Sequence, residues 1–109
     1  MSTDTPFMPR RGGNKKVNAT TTSATVVVGA GEKSLRVANA ATSVIYFRTF
    51  DSTNETGVTA TVADTPVLPA SAASSTLIIE KPVSHDSVAY LAEAGATNPV
   101  HFQPGEGLS

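Results

Sequence analysis

Ser34-Leu-Arg-Val-Ala-Asn-Ala-Ala-Thr-Ser-Val-Ile-Tyr-Phe-Arg-Thr-Phe50 is the stretch that decides the fold. Its first six residues alternate, with Leu35 and Val37 on one side and Arg36 on the other, the period-two signature of a half-buried strand. Its last eight, Ser43 to Phe50, are rich in β-branched and aromatic residues and put apolar side chains on both faces, as an interior strand covered on both sides would. Outward from this pair the same texture recurs from Val17 onward, with turn residues about every eight to twelve positions, the spacing of a β-sandwich or barrel. Ala19 to Val28 reads as one strand or two, closing on Gly29-Ala-Gly31. Asp51 to Gly57 is a polar loop, Val58 to Val62 a short strand and Asp64-Thr-Pro66 a turn. Val67-Leu-Pro69 is an extended piece whose proline confines it to a sheet edge. Ser75 to Glu80, Ser87 to Ala92 and Pro99 to Gln103 complete the set, and Pro104-Gly-Glu-Gly107 is expected to stop the last strand. Ala70–Ala73 and Ala92–Ala96 favour helix by composition but are too short to hold one. The fold class is therefore all-β: a β-sandwich or jelly roll of about eight short antiparallel strands with an extended N-terminal arm.

A chain of 109 residues has room for a single domain with a small core. Its apolar share of 39% is below the globular norm, and it has no cysteine to cross-link or to bind metal. Association is the remaining source of stability, so a homo-oligomer, dimer or trimer, is expected. The first residues lack a basic-then-apolar signal layout, and no run approaches the ~18 apolar residues of a membrane span, which predicts a chain made in the cytoplasm with no membrane partner. The net charge is -1, yet Arg10, Arg11, Lys15 and Lys16 crowd near the start against Asp4 alone. The division expected is a flexible basic arm over residues 1–16 and a β-sandwich domain over residues 17–109. Phe7 and Met8 give the arm two apolar anchors. No aromatic residue is interleaved with its basic ones, so stacking on single-stranded nucleic acid is not expected.

Chemistry is hard to find along the chain. Val26-Val-Val-Gly-Ala-Gly31 begins like a dinucleotide site, but Ser34 stands where a third glycine belongs and a strand follows where a helix is needed. Those glycines read as a hairpin turn. Ser84-His85-Asp86-Ser87 holds the side chains of a hydrolytic triad as chain neighbours, which alternate in direction and cannot converge. His85, His101 and Asp86 fall short of the four ligands of a structural zinc site, and alternation turns His101 away from Val100 and Phe102. The calcium-loop echo at Asp51–Gly57 fails because Val62 occupies the position of the bidentate glutamate. No catalytic, cofactor-binding or metal residue is assigned, and no enzyme activity is expected.

Three phrases bring in a resemblance. Ser34 to Arg48 resembles the strand–turn–aromatic-strand core of small head proteins of tailed bacteriophages. Ala60-Thr-Val-Ala-Asp-Thr-Pro-Val-Leu-Pro-Ala70 resembles their Thr/Ala-rich link with its proline-flanked turn. Val88 to Ala96 with Val100-His-Phe-Gln-Pro-Gly-Glu-Gly107 resembles their terminal hairpin. Over Val17 to Leu108 the chain looks most like the jelly-roll decoration, or cement, proteins. That resemblance implies a structural virion protein on the outside of the capsid, stabilising contacts between subunits of the major capsid protein. The arm residues Phe7, Met8, Arg10, Arg11, Lys15 and Lys16 are the expected capsid contacts. The alternatives are a phage fibre, tail or head-completion component that binds a host surface or connector, and a carbohydrate-binding module. The absence of Trp and the presence of only two Tyr argue against the module.

Overall fold

The computed structural model describes residues 8–9, 12–69, 75–95 and 97–106. Nine strands form among them: β1 (Met8–Pro9), β2 (Lys15–Ala19), β3 (Ala24–Val27), β4 (Ser34–Asn39), β5 (Ile45–Phe50), β6 (Thr65–Val67), β7 (Thr76–Glu80), β8 (Ser87–Ala92) and β9 (Asn98–Glu106). All pairings are antiparallel. One sheet runs β2-β9-β4-β7, with β1 continuing along the edge of β9 that β2 occupies, and the other runs β3-β8-β5-β6. Strand pairs β2·β9, β3·β8, β4·β7 and β5·β6 nest one inside the next, so the chain is one long hairpin rolled into two facing sheets. That is the jelly-roll order.

Alternation places the core as the sequence pattern requires. Leu35 and Val37 of β4 and Val100 and Phe102 of β9 face Ile45 and Phe47 of β5 and Val88 and Tyr90 of β8. The Phe102 ring lies 6.1 Å from Phe47 and 5.7 Å from Tyr90, both tilted, so one aromatic residue joins the two sheets. Such ring pairs add about 0.5–1.5 kcal/mol each beyond the area they bury.

Phe50, on the opposite side of β5, explains the second apolar face of that strand. It packs with Ala89 and Ala60, flanked by Val58 and Leu91, on the outside of the β3-β8-β5-β6 sheet. The segment that covers this face is the one expected to form a strand at Val58–Val62. Instead of pairing, it turns Val58 and Ala60 onto the sheet, while the Ala60 N–H donates to the Ser23 hydroxyl at 2.8 Å. Asp64 then closes a turn by accepting from the Thr61 N–H at 2.8 Å. β-Branched residues mark a pleated, half-buried surface whether they pair into it or lie across it.

Three other expectations change. The run Ala19–Val28 contains only the end of β2 and the whole of β3, separated by Thr20–Ser23, where the Thr20 hydroxyl takes the Thr22 N–H at 3.3 Å and turns the chain from one sheet to the other. Gly29 and Gly31 have φ of 93° and 105°, a backbone that favours glycine, but they join β3 to β4 in different sheets and make no hairpin. β9 does not stop at Pro104: Leu35 pairs with Pro104 and Ser34 with Gly105. On its other edge, Pro104 falls in the interval between β2 and β1, where no described strand pairs and the missing N–H is tolerated.

Candidate functional site

Of the six residues expected to make contacts, Phe7, Arg10 and Arg11 lie outside the described residues. The other three are held by strands. Met8 pairs with Glu106 and is 65% exposed. Lys15 pairs with Phe102 and Lys16 with His101, both exposed along the edge of the β2-β9-β4-β7 sheet. Residues 15 and 16 thus belong to the first long strand of the sandwich, although they stood at the end of the expected arm.

Cross-strand register builds the outer face of that sheet. One row reads Lys16, His101, Ala38 and Thr76, and the next reads Gln103, Arg36 and Ile78. Ala38 is the smallest side chain in the first row, and the longer ones around it form a groove of about 340 Å³ lined by Asn14, Arg36, Ala38, Thr76, His101 and Gln103. The Asn14 amide nitrogen lies 3.0 Å from His101 Nδ1. An amide nitrogen only donates, so in this contact Nδ1 is the acceptor. Among the described strand residues, the carboxylate on this face is Glu80, one row beyond Arg36 and opposite Ser34.

The two outer faces are therefore unlike. One is covered in part by the apolar cluster of Phe50, Ala60 and Ala89, with Val27 and Arg48 of the same face exposed, whereas the other is polar, grooved and edged by lysines.

The Ser84–Ser87 cluster is absorbed by loop anchoring. His85 Nδ1 lies 2.8 Å from the Thr49 hydroxyl. Asp86 accepts from the Ser52 N–H at 3.0 Å, the Ser52 hydroxyl at 2.7 Å and the Ser87 hydroxyl at 3.1 Å. The Ser52 backbone donor, followed by its hydroxyl, holds the Asp86 carboxyl below its ordinary range. His85 and Asp86 thus address different partners. Close by, the Lys81 side chain is buried at 1% exposure, and its ammonium donates to the His85 carbonyl at 2.7 Å.

Sequence reasoning passed over the most constrained polar groups. Buried Asn39 donates to the carbonyls of Ser43 and Val67 at 2.9 and 3.1 Å and accepts from the Ala41 N–H at 2.8 Å. Buried Asn98 donates to the carbonyls of Ala19 and Ala94, each at 3.0 Å, and accepts from the Ser43 hydroxyl at 3.1 Å. Together they tie the start of β5, the end of β6, the end of β2 and the start of β9 at one end of the sandwich. The available signal was an asparagine at each of two strand ends, each next to a turn.

Among the described residues, no three His, Asp or Glu side chains come together as a metal site, and no helix is long and apolar enough to cross a membrane. What fold and site define is an antiparallel jelly roll with one face partly covered by its own loop and one polar, grooved face. Comparison with protein families, curated proteins and solved structures found no match.

Proposed function

We propose that this protein is a decoration subunit that binds the outside of a tailed-bacteriophage capsid and stabilises contacts between major capsid protein subunits. The carrying observation is the difference between the two outer faces. A module that covers part of one face with its own loop and leaves the other polar, with Lys15 and Lys16 on its edge, is suited to lying against another protein on one side. The resemblance of residues 17–108 to phage decoration proteins supports the same reading. Fold alone does not carry it, since jelly rolls serve many functions.

In this reading the protein does no chemistry and needs no cofactor. Phe7, Met8, Arg10, Arg11, Lys15 and Lys16 extend the footprint over a neighbouring capsid subunit. Self-association into a dimer or trimer multiplies individually weak contacts on a symmetric lattice.

The test is its copy number relative to the major capsid protein, measured by mass spectrometry in purified particles of the source virus. A ratio near one, or a simple fraction of it, is expected. A few copies per particle would replace the reading with a fibre, tail or head-completion role, and absence from particles would remove the virion reading altogether.

A further inference from the structure

We infer that the outer edge of β7 is the contact through which two copies of this chain join, strand against antiparallel strand, about a two-fold axis at Ile78. Among the described residues β7 pairs with β4 alone and ends its sheet. Two flanking bonds set the phase of that pairing: the Asn39 N–H donates to the Ser75 carbonyl at 2.9 Å, and the Lys81 N–H to the Lys33 carbonyl at 2.7 Å. Residues 77 and 79 therefore bond to β4, while Thr76, Ile78 and Glu80 turn their N–H and C=O groups outward. The core is also left open on this side. Leu77 and Ile79 pack against it yet stay half-buried, whereas Val37 and Leu35, their partners on β4, are fully buried. Exposed Leu68 stands beside the start of β7, since Asn39 bonds both the Val67 and the Ser75 carbonyls.

A second copy is the occupant that edge chemistry and symmetry favour. Lysines, prolines and short length keep sheet edges from pairing. β2 carries Lys15 and Lys16, β1 and β6 contain Pro9 and Pro66, and β3 has four residues, whereas β7 is a five-residue run, Thr76-Leu-Ile-Ile-Glu80, without lysine or proline. Such a strand accepts a copy of itself without conflict. Centred on Ile78, the antiparallel pair sets Ile78 against Ile78, Leu77 against Ile79 and Thr76 against Glu80. The outward groups then meet in hydrogen-bonded pairs, the core continues through Leu77 and Ile79, and no two like charges stand opposite each other. A contact of this kind is isologous and closes at two copies, so it makes a dimer and not a trimer. The dimer stands whether or not the protein decorates a capsid; in the decoration reading it doubles the contacts that each unit makes on the lattice.

The experiment uses the whole chain, with oligomeric state followed by analytical ultracentrifugation from micromolar to millimolar concentration and amide exchange read by NMR at both ends of that range. A monomer–dimer equilibrium is expected. Exchange at the Thr76, Ile78 and Glu80 amides should slow as the dimer forms, while the Leu77 and Ile79 amides stay protected throughout. Ile78→Lys sets two ammonium groups opposite each other and should weaken the dimer about tenfold. An equimolar mixture of Ile78→Lys and Ile78→Glu should recover it as a heterodimer, and thermal melting confirms that each variant is folded. A monomer at every concentration, a trimer, a dimer whose Thr76, Ile78 and Glu80 amides exchange freely or undiminished association of Ile78→Lys would each overturn the inference. Copy number in particles is read separately, so a monomer abundant in virions would lose this inference and keep its decoration role.

Discussion

Asn39 and Asn98 show how much a single buried amide holds in a sandwich of this size. Each satisfies backbone groups from elements far apart in the chain, so truncation leaves carbonyls in buried hydrogen bonds without their donor. Asn39→Ala and Asn98→Ala should each cost about 2 kcal/mol or more, the penalty for buried partners left unpaired. Urea unfolding measures this, and a loss under about 0.5 kcal/mol would show that the ends of the sandwich repack. Asp86 belongs to the same scale. Its folded carboxyl titrates below its unfolded value of about 3.9, so its contribution is fully present above that value and is lost as pH falls through the lower, folded one. Unfolding followed from pH 7 to pH 2 should therefore show an acid-sensitive component that Asp86→Asn removes and Ser52→Ala reduces. Identical acid limbs in all three proteins would exclude Asp86 as its source.

At the scale of elements, the loop between β5 and β6 behaves as part of the fold. Phe50→Ala should destabilise by about 3 kcal/mol, as truncation of a buried aromatic does, and should speed hydrogen exchange at the Ala60 amide that Ser23 holds. Slow exchange at Ala60 in that variant would mean the cluster is not what fixes the loop. The same loop marks how far the sequence could be read. β4, β5, β7 and β8 were legible because alternation or a dense apolar run is a property of the strand itself. β6 is displaced: a turn is expected at Asp64-Thr-Pro66 and an edge piece at Val67-Leu-Pro69, whereas the strand is Thr65–Val67, and only its place at a sheet edge agrees. Val58–Val62 was misread because lying across a sheet and pairing into it ask for the same residue types. β9 was cut short because a proline and a glycine normally end a strand, and only the interval between β1 and β2 shows why they do not. The groove was illegible for another reason: Arg36, Ala38, Thr76 and His101 become neighbours through register alone, which local sequence does not encode.

Across the whole molecule, the arm and the body have to be separated at a different point. Deleting residues 1–7 should leave the melting temperature unchanged, since every described strand remains. Deleting residues 1–16 removes Lys15 and Lys16 from the ladder with Phe102 and His101 and should lower it clearly. Deleting residues 1–19 takes the whole of β2, including fully buried Ala19, and should abolish the cooperative transition. Calorimetry on the three truncations tests this order. Similar melting for all three would mean that β2 adds little to the sandwich. Loss of particle binding on removal of residues 1–7, with the melting temperature retained, would assign that stretch a role in contact alone.

Met8 stands opposite Glu106, and Lys15 to Ala19 run beside Phe102 to Asn98, so the outermost turn of the rolled hairpin cannot close until β9 has been made. A protein whose first and last described strands are partners folds on the slow side for its size, in about milliseconds to seconds. On the ribosome β2 has to wait unpaired until β9 has emerged. Joining the two ends with a short linker would convert that late, long-range encounter into a local one. Circularised protein should therefore refold faster than the linear chain while unfolding at much the same rate.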